Sequence, residues 1–349
     1  GTMITSFRGT VVKWLDGTLQ ADIYVSPPGL VSSRPQGTLD PGLVKRLVAF
    51  EDLEGFSTYR EVVLETREGP LRAVALDLFP RGEGAFDFRE GGGRAAFREF
   101  REDEGVFLSE ALAYRRGFAV GDFLTLPSEA GPLRLRVSGV FYDYGSDQGV
   151  VMMSRRTFDR YWSDGGVTSL GLFVKRGVSV DEAVAELQSR AGDEQLVLIR
   201  SNRALKAASL EVFDRTFAIT GVLRLLAFIV AFIGVLSALM ALQLERGREL
   251  GVLRANGLTP GQIWQLVTVQ TGLMGLVAGV LAVPAGLVLA AVMIFVVNKR
   301  SFGWTLQLEL GPDILVQAVL LALVGALLAG VYPSWRMSRT SPALALREE

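Results

Sequence analysis

The spacing of hydrophobic positions changes its period twice along this chain. Ile4, Phe7, Val11, Trp14, Leu15 and Leu19 recur at helical intervals and predict an amphipathic helix over residues 4–19. From Ala21 to Ser26 the pattern alternates, which predicts a strand that stops at Pro27-Pro28-Gly29. Asp40 and Pro41 form an N-cap and first-turn pair for a helix reaching about Phe50. Strands follow near Phe56–Glu65 and Leu71–Phe79, joined as a hairpin by Arg67-Glu68-Gly69-Pro70. Residues Gly82–Gly105, rich in Gly, Arg, Glu and Phe, show no clear period and read as a long loop. The acidic run Glu102-Asp103-Glu104 inside it reads as a solvated charged segment. A strand at Val106–Leu108, a helix over Glu110–Arg116 capped by Ser109, and a strand at Phe123–Leu126 come next. Leu133–Val140 and Val150–Met153 form a further strand pair around Tyr142-Asp143-Tyr144-Gly145-Ser146-Asp147. That polar aromatic segment reads as a hairpin loop, with ligand binding as the alternative. A strand at Ser169–Val174, a helix from Ser179 to Arg190 and a strand at Leu196–Ile199 follow. The expectation for residues 1–215 is an α+β domain of mixed sheets with helices.

At Ser201 the period becomes helical and stays so. Leu205, Ala208, Val212, Phe213, Phe217 and Thr220 keep one face, with no Gly or Pro before Gly221. A single stalk helix is therefore expected to run into an apolar stretch. Leu225–Leu244 carries no charge over 20 residues, enough to cross a hydrocarbon core of about 30 Å. Residues 255–298 are also uncharged, and Thr259-Pro260-Gly261-Gln262 supplies a capping box with proline in the first turn. Pro284 is expected to kink that helix. Ile314–Trp335 is the third apolar run. The expectation for residues 216–349 is an all-α membrane domain of three helices, with spans at about 217–244, 262–297 and 314–335. Small residues recur at intervals of four around Gly234, Gly275, Gly279 and Gly325, a spacing that suits close helix packing in lipid.

Charge then sets an orientation. The first connection holds Arg246, Arg248 and Arg254, the tail holds Arg336, Arg339 and Arg347, and the middle connection holds Lys299 and Arg300. By the positive-inside bias, the first connection and the tail face the cytoplasm and the mixed domain faces outward. The balance of 36 Lys and Arg against 37 Asp and Glu argues against a nucleic-acid partner. The absence of His and Cys excludes Cys/His metal sites, thiol nucleophiles, disulfides and Ser-His-Asp triads. There is no G-x-x-x-x-G-K-[ST] loop, so no nucleotide is expected on this chain. An outward domain with no signal peptide before it suggests a fragment whose preceding membrane helix is missing.

The most informative stretch is Leu244–Gln262, a charged insert between apolar runs. Glu245-Arg246, Arg248-Glu249-Leu250-Gly251, Leu253-Arg254-Ala255, Gly257 and Thr259 resemble the signature of FtsX/MacB-type ABC transporter permeases. The tail residues Pro333, Trp335-Arg336, Ser338-Arg339, Ser341-Pro342-Ala343 and Ala345-Leu346-Arg347 resemble that family's closing motif. Val106–Leu126 and Val137–Asp143 resemble a MacB-type periplasmic core. The chain departs from the family in lacking a helix before that core, and in carrying Gln270 where a glutamate is common in the second span. The resemblance implies a permease subunit without catalytic residues, in the bacterial inner membrane. It implies that Glu245, Arg246, Arg248, Glu249, Leu250, Gly251, Leu253, Arg254, Gly257 and Thr259 couple to a separate ABC ATPase, which would carry ATP and Mg²⁺. A second permease copy or half, the lipid bilayer and a periplasmic adaptor are the other implied partners. The work done would be export, or mechanical work on a lipid, lipoprotein, peptide or amphiphile. The alternative is a transmembrane regulator that activates an envelope protein such as a cell-wall hydrolase. A cysteine placed at Gly247 is expected to resist a membrane-impermeant maleimide added outside intact cells; labelling there would reverse the topology.

Overall fold

Alternation builds a ten-stranded mixed sheet that serves three cores. The computed structural model describes residues 2–28, 37–102, 105–192, 195–246, 249, 252–253, 255–306 and 312–339. The amino-terminal half contains α1 (Thr2–Thr18), β1 (Ile23–Ser26), α2 (Pro41–Val48), β2 (Leu53–Thr66), β3 (Gly69–Asp77), β4 (Phe88–Gly91), α3 (Gly93–Arg101), β5 (Gly105–Ser109) and α4 (Glu110–Arg116). After these come β6 (Phe123–Ser128), β7 (Gly131–Phe141), β8 (Val151–Ser154), α5 (Arg155–Tyr161), β9 (Ser169–Val174), α6 (Val180–Ala191) and β10 (Leu198–Ser201). The strand order is β10-β1-β9-β2-β3-β8-β5-β7-β4, with β6 also paired to β7. The pairs β3/β8 and β5/β7 are parallel.

All five residues of β5 are buried because both of its faces are covered. Val106 and Leu108 join Leu112 and Phe158 in one core, whereas Phe107 joins Phe100 and Phe141 in the other. In β3, Ala73 and Ala75 face the first core and Val74 and Leu76 the second. A third core forms where α2 and α6 cover β1, β9 and β10, around Ile23, Leu43, Leu47, Leu172 and Leu187. Caps fix the helix starts: Asp40 Oδ1 accepts from Leu43 N at 2.9 Å, and Ser179 Oγ accepts from Glu182 N at 3.4 Å.

Two expectations fail here. The Gly82–Gly105 stretch is not a loop, since it contains β4 and α3 after a 3-10 turn at Pro80–Ala85. Its phenylalanines order it: Phe86, Phe88, Phe97 and Phe100 surround Phe107 with centroids 5.3, 4.9, 5.3 and 4.6 Å away. Of the acidic run, Asp103 and Glu104 lie outside the described residues. The segment Tyr142–Asp147 is not a hairpin loop either, because β5 lies between β7 and β8. β8 pairs with β3 and β5, and the antiparallel hairpin partner of β7 is β6.

Beyond the sheet, α7 (Asn202–Glu245) runs as one helix of 44 residues. It is followed by α8 (Pro260–Val292), a π-helical stretch (Met293–Asn298), the single turn α9 (Lys299–Phe302) and α10 (Pro312–Arg339). Pro284 lies inside α8. Two stretches are long and apolar enough to cross a membrane, Asn202–Leu242 and Pro260–Phe302; the corresponding stretch of α10, Leu315–Val331, is shorter. The chain divides into two compact units. One joins Ser6–Arg215 with Ile294–Gln307, and the other joins Gly1–Thr5, Thr216–Met293 and Leu308–Glu349. In the first unit α1 is held to the start of α7. Asn202 Nδ2 donates to Leu19 O at 2.6 Å and Ala21 O at 2.8 Å, Phe7 meets Phe213 edge-on at 5.2 Å, and Arg8 pairs with Asp214 at 2.9 Å.

Phe107 is fully buried at the centre of the sheet's second core, so Phe107→Ala is expected to destabilise the sheet domain by about 3–5 kcal/mol. The denaturant midpoint of the whole chain's sheet transition measures this, and an unchanged midpoint would contradict the account of that core.

Candidate coupling turn and its helical frame

The described residues of the charged insert include a short helical turn that is stopped at its carboxy-terminal end by local chemistry. Glu245 closes α7, and Arg246 N still donates to Leu242 O at 3.2 Å. Glu249, Val252, Leu253 and Ala255 are helical, and Asn256 N donates to Val252 O at 3.0 Å. The turn ends at Gly257, whose φ of +99° suits a residue without a Cβ. Leu258 N reaches back across that glycine to Leu253 O at 3.2 Å, the six-to-one bond of a Schellman close. Thr259 starts α8 at once with a capping box: Gln262 N donates to Thr259 Oγ1 at 3.3 Å and Thr259 N to Gln262 Oε1 at 2.9 Å. Arg248, Leu250, Gly251 and Arg254 lie outside the described residues.

Two sides of this turn differ. Glu249, Val252 and Asn256 are exposed and share one helical stripe at i, i+3 and i+7. Arg246, Glu249 and Leu253 border a cavity of about 100 Å³ whose wall also includes Leu242, Gln270 and Met274. The turn is thus seated against α7 and α8 while an apolar residue, Val252, stays 46% exposed between polar neighbours.

The frame beneath it depends on small residues. A Cβ on Gly275 would lie 2.4 Å from the Ala326 Cβ, and one on Gly279 would lie 3.0 Å from the Ala322 Cβ, so α8 and α10 approach where side chains are absent. Gly330 meets Thr271 in the same way. Gly325 looks toward Phe228 of α7 at 3.8 Å, whereas Gly234 has open space around it. Spacing alone signalled Gly275 and Gly279 but gave no reason to separate them from Gly234. Glu110 and Thr305 were missed altogether, since a glutamate in a first helical turn reads as an ordinary dipole partner.

A mixed sheet domain, followed by apolar helices of which two are long enough to cross a membrane, is the make-up of a membrane protein with a folded domain outside the bilayer. The chain belongs to the FtsX/MacB-type ABC transporter permeases: residues 1–190 match the MacB-like periplasmic core domain, and residues 221–342 match the FtsX-like permease C-terminal family. It is 40% identical over 99% of its length to an uncharacterised ABC transporter permease protein of Mycobacterium tuberculosis, of which it covers 41%. It is 26% identical over 70% of its length to the lipoprotein-releasing system transmembrane protein LolC of Xylella fastidiosa, covering 65% of that protein. Among solved structures, the periplasmic region of MacB from Actinobacillus actinomycetemcomitans aligns over 55% of the chain and 94% of that region, with 13% identity and a TM-score of 0.40.

Gly275→Leu is expected to separate α8 from α10 and to lower the amount of folded chain in the membrane at least severalfold, and Ala326→Gly is expected to restore part of it. Detergent-resistant folding of the two variants checks this; a Gly275→Leu chain as abundant and stable as the parent would contradict the seam.

Proposed function

We propose that this chain is the permease subunit, or half of one, of an ABC system in which a separate ATPase drives mechanical work through the membrane. The observation that carries this reading is the exposed stripe Glu249, Val252 and Asn256 on a helical turn whose carboxy-terminal end is locked. A short helix presenting one apolar residue among charged and polar ones fits a groove on a partner, and its charges set orientation and on-rate more than affinity. Since α7 reaches Glu245 and α8 starts directly after the Gly257 close, displacement of the turn would be passed on along helices. Continuity of α7 over 44 residues supports a path from the turn to the sheet domain.

In this reading the turn faces the cytoplasm, α7, α8 and α10 each cross the inner membrane, and the MacB-like domain works outside it. ATP and Mg²⁺ belong to the partner ATPase, and a second permease copy or half completes the membrane part. Export or displacement of a lipid, lipoprotein, peptide or amphiphile suits apolar helices that offer no charged pathway. The named relatives support that class of cargo, since one is a lipoprotein-releasing component.

Glu249→Arg and Val252→Asp, each on the exposed stripe, are expected to weaken ATPase association at least tenfold, roughly the cost of one interfacial hot spot. Co-purification and ATPase stimulation in lipid discs measure it. Native binding and stimulation by both variants would remove the coupling role.

A further inference from the structure

The connection between α8 and α10 is anchored in the sheet domain by one carboxylate. Glu110 opens α4 and is 0% exposed. Its Oε2 accepts from Thr305 N at 2.8 Å, and its Oε1 accepts from Thr305 Oγ1 at 2.8 Å. Arg89 Nη1, from β4, donates to Oε1 at 3.1 Å, and Lys299 Nζ stands 3.7 Å from the same oxygen. Three of these four contacts therefore come from the connection itself. A buried carboxylate is tolerated only while such partners remain, because desolvation of an unpaired charge is strongly unfavourable.

The surrounding contacts hold the same segment. Arg115 Nη2 donates to Ser301 O at 2.8 Å, and Tyr144 Oη donates to Thr305 O at 3.1 Å. Burial, with the Glu110 charge next in importance, pushes the Tyr144 hydroxyl well above its usual range and keeps it a donor. Trp304 stacks on Phe7 of α1 at 5.6 Å and meets Tyr144 edge-on at 5.2 Å. Gly303, at φ +82°, lies so close to α4 that a Cβ would sit 3.0 Å from the Ala111 Cα. Trp304 Nε1 is buried with no hydrogen-bond partner among the described residues, which counts against the docked state and leaves Glu110 to hold it.

We propose that residues 294–306 form a second transmission strap, clamped by Glu110, that makes the sheet domain follow the outer end of α8 as well as α7. This rests on the force-transmitting reading of the chain. A connection that only reversed direction would need a few residues at the surface. This one places a hydroxyl, a backbone N–H and a lysine around a single buried carboxylate, and lays its tryptophan on the same aromatic cluster as α1. Glu110 is a positioning residue here: releasing it should leave the ATPase-facing turn intact and interrupt movement beyond it.

The test uses the full permease with its ATPase in lipid discs. The chain has no cysteine, so introduced pairs take spin labels without interference. The pair Leu196→Cys and Ser301→Cys reports the clamp, and the pair Leu196→Cys and Val331→Cys reports domain displacement between ADP and a non-hydrolysable ATP analogue. In the parent, the first distance should stay narrow in both nucleotide states while the second shifts. In Glu110→Gln, and independently in Thr305→Val and Lys299→Ala, which leave the carboxylate in place, the first distribution should broaden. The second shift should fall by about half or more in those variants, with the ATPase rate within about twofold of the parent, as expected when one of two couplings is removed. Variants that keep a narrow first distance, or that broaden it and retain the full second shift, would overturn the strap alone. A parent with normal ATP turnover and no second shift would overturn force transmission itself, and the strap with it.

Discussion

Away from water, a polar group must find its partner inside the protein, and that requirement organises this chain from end to end. In the apolar helices it is met by the backbone alone, so those stretches are continuous and charge is displaced to their ends. Charge between α7 and α8 is therefore concentrated in one short turn, whose end is satisfied locally by the Leu258–Leu253 bond across Gly257, and α8 opens at once on the Thr259–Gln262 box. The same rule acts inside the sheet domain at Glu110, whose carboxylate is buried and is satisfied mainly by residues about 190 positions away in sequence.

These two places carry the mechanical reading proposed above. In that reading the turn's exposed stripe, Glu249, Val252 and Asn256, meets the partner. Close approach at Gly275 and Gly279 packs α8 and α10 against each other, so the pair can move as one body rather than slide. α7 carries on from the membrane unit into the sheet domain, where Asn202, Phe213 and Asp214 bind it to α1. The connection at residues 294–307 belongs with the sheet domain as well.

Local chemistry was legible in the sequence and distant partnership was not. The Asp40 and Ser179 caps, the Thr259 capping box and the unbroken helix after Ser201 could all be read because every partner lies within a few residues. The β2–β3 hairpin was equally plain from its turn. The Phe86–Phe107 cluster stayed hidden because three consecutive glycines break the period just before α3, and because its order comes from rings brought together by β5 and β7. The crossover between β7 and β8 could not be told from a hairpin, since alternation reports faces and not neighbours. Glu110 had a local explanation at a helix start, so nothing in its surroundings pointed to Thr305 or Lys299. At the turn itself, residue types gave the expectation of a docking surface, but only the fold separates the exposed Val252 from the seated Leu253.

The account stands or falls on what touches that turn. A photo-crosslinking residue at Val252, in the permease expressed together with its ATPase, measures the contact directly. Coupling through the turn predicts an adduct with the ATPase as the main product, lost when the crosslinker is moved to the exposed position Leu281 in α8. An adduct with lipid alone, or the same ATPase adduct from both positions, would contradict it.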